Sequence, residues 1–134
     1  MKQALLDSDT ISFYFRNNQQ VVEKVDKYLK KFGYIHISVI TYYEIMNGLY
    51  YRDARNQMNI FRRFVELNEI IPLSTSTTEI AAKIYADLRK SGITIGHNDV
   101  MIGAFAIDND MTLITNNEKH FRYIPGLEID NWTK

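Results

Sequence analysis

The chain has no cysteine, which excludes disulfides, thiolate metal sites and cysteine nucleophiles and leaves the redox compartment unread. It has no excess of charge either. Sixteen Lys and Arg face 16 Asp and Glu, giving a formal net charge of zero and a pI of about 6.8, so the global basic field that would announce nucleic acid is missing. That total is still compatible with a nucleic-acid enzyme, because acids gathered at a metal site can be offset by Lys and Arg elsewhere, as in 83-KIYADLRK-90 or at Arg62 and Arg63. No long apolar run is present. Val100 to Ile107 falls far short of the roughly 20 residues that span a bilayer. A carboxylate interrupts the short N-terminal apolar stretch almost at once, so no signal peptide is expected. Repeats, linkers and low-complexity tracts are also absent. What remains is a hydrophobic content of 46% over 134 residues, enough for one core. The expectation is one soluble, cytoplasmic α/β domain over residues 1–134, with no membrane contact.

Periodicity places the elements. Gln3 to Leu6 reads as a buried strand and Thr10 to Arg16 as a short helix capped by Asp9 or Ser8. Val22, Val25, Leu29 and Phe32 recur at helical spacing, and Gly33 closes that helix. Ile35 to Ile40 is β-branched and mostly apolar, as in a strand covered on both faces. Helices follow over about Tyr42 to Tyr51 and Ala54 to Leu67, the second with Met58, Phe61, Phe64 and Val65 on one face. The run 70-IIPLS-74 is strand-like, with Pro72 favouring a sheet edge. Ser76 to Lys90 is an amphipathic helix ended by Gly92, and Asp99 to Ile107 is apolar nearly all round, hence central and buried. Thr112 to Thr115 and Leu127 to Ile129, after Pro125-Gly126, complete the strands. Strands separated by helices imply a parallel, doubly wound sheet.

Three segments repeat one pattern, in which a strand or turn leads through an acid into a helix: Leu5-Leu6-Asp7-Ser8-Asp9-Thr10, Val39-Ile40-Thr41-Tyr42-Tyr43-Glu44 and Gly96-His97-Asn98-Asp99. In open α/β sheets ligands bind beyond the carboxyl ends of the strands, and three acids so placed suggest a carboxylate cluster for a divalent cation. Asp7 follows a buried strand directly. Its other use would be to cap the next helix, for which Asp9 and Ser8 are better placed. Glu44 has an alternative role in a capping box with Thr41, a pattern that Ser76 and Glu79 repeat. If the second strand pairs with the first, Glu44 lies about 5 Å, one strand spacing, from Asp7 and Glu79 about twice as far. Asp99 opens the apolar helix, with Asn98 as its cap, where a helix N-terminus favours an ionised carboxylate. After the fourth strand, Thr115 and Asn117 could support a metal shell or simply make a turn, and Glu118 could be a fourth acid or the start of a short helix. His97, His120 and Arg89 read as structural or solvated.

In this order, 5-LLDSDT-10, 38-SVITYYEIMNG-48, 94-TIGHNDVMIGAFAI-107, 113-LITNNEKHF-121 and 124-IPGLEIDNW-132 resemble PIN-domain ribonucleases, and within them the VapC-type toxins of toxin–antitoxin systems. The resemblance covers nearly the whole chain. It implies a parallel sheet of order 3-2-1-4-5 with helices on both faces. It also implies a Mg²⁺ or Mn²⁺ site built by Asp7, Glu44 and Asp99, with Asn117, Thr115, Ser8, Asp9 and Glu118 in support. The fourth acidic position of the family matches Asn117, a departure from the four-acid pattern. The resemblance further implies hydrolysis of RNA by metal-activated water, leaving a 5′-phosphate and a 3′-hydroxyl, with a tRNA loop a plausible substrate. A cognate antitoxin and a homodimer are implied as well.

Two rivals are open. Asp7-Ser8-Asp9-Thr10 also resembles the DxDxT motif of haloacid-dehalogenase-type phosphatases, in which Asp7 would be a covalent nucleophile. Asp99, however, follows Gly96-His97-Asn98 rather than an apolar strand, and the chain is short for that fold. The other rival is a non-catalytic PIN-like module that binds RNA or protein.

Overall fold

A computed structural model describes residues 2–134. Its centre is β1 (Ala4–Leu6), three residues buried on both faces. Parallel strands β2 (His36–Ser38) and β3 (Glu69–Ile71) extend the sheet on one side, β4 (Thr112–Ile114) and β5 (Ile129–Asp130) on the other, giving the order β3-β2-β1-β4-β5. Because successive side chains of a strand point to opposite faces, Ala4 and Leu6 enter one core with Ile35, Ile37 and Ile114, while Leu5 enters the other with Leu113. Helices α1 (Ser8–Phe15), α2 (Gln19–Phe32), α3 (Val39–Tyr51) and α4 (Arg55–Glu66) cover the first face. Helices α5 (Thr75–Lys90), α6 (His97–Asp108) and the single turn α7 (Glu118–Phe121) cover the second.

The order of elements, the edge position of the strand before Pro72 and the burial of α6 agree with the sequence. Gly33 ends α2 at φ 87°, a left-handed conformation that favours glycine. The helix starts differ, and the reason is capping. Asp7 itself is the N-cap of α1, accepting from Ser8 N at 2.8 Å, so neither Asp9 nor Ser8 caps it. Ser38 caps α3 by accepting from Thr41 N at 3.1 Å, three residues earlier than expected. Thr41 is therefore already inside the helix and the box with Glu44 does not form. The same happens at α5, where Ser74 accepts from Thr77 N, so Ser76 and Glu79 form no box either. Helix α6 starts at His97 with Gly96 as N-cap, not at Asp99 with Asn98.

The chain runs outward from β1 through β2 to β3, then returns across the sheet to β4. The sheet therefore changes direction between β1 and β4, and their carboxyl ends open a crevice where such sheets take ligands.

Candidate active site

Four acids stand around that crevice near enough to repel one another, each brought there by its element. Asp7 extends β1 and is only 5% exposed. Its Oδ1 serves the α1 cap, and its Oδ2 accepts from Thr115 Oγ1 at 2.8 Å across the β1–β4 gap. Asp7 thus caps the helix, the role expected of Asp9 or Ser8, while its second oxygen is held at the crevice by Thr115. Burial, followed by repulsion from Asp9, pushes its carboxyl up to about 7. Asp9, in the first turn of α1, accepts from Asn116 N at 3.0 Å and from Thr10 Oγ1 at 3.3 Å. It too is pushed up, chiefly by burial, with Asp99 adding repulsion.

Glu44 projects from the second turn of α3. Burial raises its carboxyl and repulsion from Asp99 raises it further, while the side chains of Asn98 and Ser8 oppose the rise. Its Oε1 is buried without a hydrogen-bond partner. Buried oxygens are rarely left so. Asp99, in the first turn of α6, has a side chain 24% exposed and lies 3.4 Å from His120 Nδ1. That nitrogen also lies 2.9 Å from Asn117 Nδ2. It accepts from Asn117 or donates to Asp99 according to which ring nitrogen carries the proton.

The residues after β4 take unequal parts. Thr115 is fully buried and turns its hydroxyl to Asp7 while accepting from Asn117 N at 3.0 Å. Asn117 reaches the acids through His120. Glu118 does not join them: its carboxylate accepts from Asn131 Nδ2 and Lys134 Nζ, both at 2.9 Å, and these donors hold it below the usual range. His120, read from the sequence as solvated, stands against Asp99. The available signal was its spacing of three from Asn117, which puts both on one side of a helical turn. His97 stacks on Tyr85 with ring centroids 4.2 Å apart, and Arg89, expected as a solvated helix end, is exposed with its guanidinium 5.7 Å from the centre of the same ring.

Among the described residues, no three Asp, Glu or His side chains are grouped so that they could hold a metal ion. Carboxylates that share a crevice repel one another, and here Asp7 and Asp9 rest on hydrogen-bond donors instead. The donor chemistry nevertheless fits a hard divalent cation: carboxylate oxygens from Asp7, Asp9, Glu44 and Asp99, with the Glu44 oxygen lacking a partner. Beside the acids, a groove of about 610 Å³ runs between α1, α3 and α4 from Ser8 and Glu44 to Arg16 and Arg52, over an apolar floor that includes Phe15 and Phe61.

A sheet of this order, with acids at the carboxyl ends of its inner strands, defines a class of fold, and the PIN-domain model matches residues 4–127. The chain belongs to the PIN-domain family. Ribonuclease VapC2 of Rickettsia felis is 35% identical over 107 residues, 79% of this chain and 80% of that protein. The tRNA(fMet)-specific endonuclease VapC of Salmonella typhimurium is 26% identical over 98% of this chain and 99% of its own length. In solved structures, the fold resembles a chain of VapBC2 from Rickettsia felis bound to a promoter DNA fragment, with a TM-score of 0.85, 28% identity and coverage of 96% and 98%. It also resembles a chain of DNA-bound VapBC from Salmonella typhimurium, with a TM-score of 0.87, 25% identity and coverage of 98% and 99%. The phosphatase reading of Asp7-Ser8-Asp9-Thr10 falls with this result.

Proposed function

We propose that the chain is a Mg²⁺- or Mn²⁺-dependent endoribonuclease and the toxin of a toxin–antitoxin pair. The observation that carries the reading is the crevice itself: four carboxylates converge electrostatically at the switch point, and one of their buried oxygens has no partner. Asp7 and Asp99 would be the principal ligands, and Glu44 would offer its unpartnered oxygen. A divalent cation held there supplies Lewis acidity for an attacking water and neutralises charge on the phosphodiester. The protein's own groups do the rest. Thr115 fixes Asp7, Asn116 N fixes Asp9, Asn117 and His120 orient Asp99, and Ser8 and Asn98 steer Glu44. No nucleophilic side chain is required.

Arg16 and Arg52 at the far end of the groove suit phosphates of a single strand reaching the acids, with apolar side chains beneath its bases. The Salmonella relative's name makes a tRNA a reasonable first substrate to test. The VapBC complexes among the structural relatives support a protein antitoxin as partner. Tyr43, Tyr50 and Tyr51 expose a good part of their rings along α3, which suits a homodimer face. Among the described residues no helix is long and apolar enough to cross a membrane.

The test is incubation of purified protein with total RNA and a tRNA pool, with Mn²⁺ or Mg²⁺, with excess chelator, and as Asp7→Asn. Cleavage that needs the metal and is lost in Asp7→Asn, leaving 5′-phosphate ends, supports the proposal. Cleavage that survives Asp7→Asn rejects the site. No cleavage while Mn²⁺ is bound would turn the reading to a binding module.

A further inference from the structure

One wall of the crevice is the segment after β4, and three of the four acids rest on it. Thr115 Oγ1 donates to Asp7, Asn116 N donates to Asp9, and His120 lies against Asp99. The segment is a short loop followed by one helical turn, and its grip comes from the far end of the sequence. Asn131, just past β5, is 6% exposed. Its Nδ2 donates to Asn116 Oδ1 at 3.0 Å and to Glu118 Oε2 at 2.9 Å. Its Oδ1 accepts from Thr133 N at 3.0 Å and Thr133 Oγ1 at 2.6 Å. A primary amide has two donors and two acceptor positions, so this one is fully used. The two residues it grips flank Asn117. Trp132, buried with its ring centroid 5.8 Å from that of Tyr28, anchors the next residue in the core. Core packing, Asn131, the β4–α7 loop and the acids thus form one continuous chain of contacts.

We propose that Asn131 is a positioning residue for the cation site: it holds in place the β4–α7 loop whose donors set Asp7, Asp9 and Asp99 around the crevice. This rests on the metal reading of those acids. Only an amide can do the work. A carboxylate at 131 would face Glu118 with like charge and would have no proton for Asn116. A leucine would leave Thr133 N without its acceptor and strip Asn116 Oδ1 and Glu118 Oε2 of the amide donor, with only Thr133 Oγ1 and Lys134 Nζ remaining to them.

The test compares the unmodified protein with Asn131→Asp, with Asn131→Asp plus Glu118→Gln, and with Glu128→Gln as a control whose contacts to Lys2 and Thr112 lie at the opposite end of the sheet. Mn²⁺ binding is measured by titration calorimetry without RNA at pH 8, alongside thermal unfolding and kcat and KM on RNA. Asn131→Asp is expected to weaken Mn²⁺ binding by about 10- to 100-fold and to lower kcat more than it raises KM. The added Glu118→Gln swaps donor and acceptor across the 131–118 pair, leaves the Asn116 contact unrepaired, and is expected to recover part of both losses. Glu128→Gln is expected to bind Mn²⁺ like the unmodified protein. Mn²⁺ affinity within about twofold in Asn131→Asp, even with a lower melting temperature, would mean a purely structural residue and overturns the proposal. So does a loss that the second substitution does not recover. If Asn131→Asp does not fold, Asn116→Ala, which removes one of the two grips, is measured instead: weakened binding supports the proposal and unchanged binding overturns it. An unmodified protein that binds no Mn²⁺ overturns this inference together with the metal reading. Normal binding by both the unmodified protein and Asn131→Asp overturns this inference alone.

Discussion

Two regions of the molecule gather polar side chains around acids, and they do so in opposite ways. At the end of α6, Asp108 collects hydroxyls from the start of α5: Ser76 at 3.0 Å on one oxygen, Thr77 at 2.7 Å and Ser74 at 3.5 Å on the other. One exposed carboxylate with three donors ties two helix ends together. At the crevice the balance differs. Four carboxylates stand near one another, burial and mutual repulsion push Asp7, Asp9 and Glu44 up despite the donors each has, and one Glu44 oxygen has no partner. An acid that only supports the fold is supplied with protons to accept. Acids buried near one another hold instability in reserve that a cation can relieve.

The largest effect that would sharpen this contrast is expected from Asp7→Asn. Activity on RNA should fall at least about 100-fold, since a ligand is lost rather than a supporting group. The metal-free protein should nevertheless become more stable at pH 8, by roughly 1–3 kcal/mol, because a buried charge has been removed. Urea unfolding with chelator checks the second half. A variant that is both inactive and less stable would break the comparison.

Next in size is the pH dependence. The Asp7 carboxyl goes from 3.8 in the open chain to about 7 in the fold, so between those values the folded protein holds a proton that the unfolded chain has released. Stability therefore falls as pH rises from about 4 to 7, and the full penalty, on the order of 4 kcal/mol at most, is present above 7. Asp9 and Glu44 shift in the same direction. Melting temperatures at pH 5 and pH 8 should differ clearly in chelator and much less in excess Mn²⁺, because the ion binds the ionised form.

Thr115→Val should have a smaller effect. It strips Asp7 Oδ2 and Asn117 N of their shared hydroxyl, and a cost of about 1–3 kcal/mol in stability with a 10- to 100-fold loss of Mn²⁺ affinity is expected from unfolding and calorimetry. The smallest effect belongs to the other region. Asp108→Ala should cost about 1–2 kcal/mol and leave RNA cleavage at its original rate, which parallel unfolding and cleavage assays would show.

Much of this was legible in the sequence. The buried apolar run that ends at Leu6, the apolar run of α6 and Gly33 after α2 follow from local pattern, and the sheet order follows from the family resemblance. The acids at element junctions were visible for the same reason. What failed was the choice of cap. Ser38, Thr41, Ser74 and Ser76 are all competent N-caps, and tertiary packing rather than residue type decided that Ser38 and Ser74 do it. The roles of His120 and Asn131 were hidden for a different reason. Each acts through contacts 13 to 21 residues away in sequence, and spacing along a chain reports only on neighbours within a turn or a strand pair. Asp7 shows the limit most clearly, since the cap was assigned to Asp9 or Ser8 and it is Asp7 that caps α1 while its second oxygen accepts from Thr115.

The most direct measurement is anomalous scattering from crystals grown or soaked with Mn²⁺. The account predicts a strong peak within coordination distance of Asp7 and Asp99, with Glu44 Oε1 turned toward the ion or a water on it. A peak elsewhere on the surface, or none at Mn²⁺ concentrations that support RNA cleavage, would contradict it.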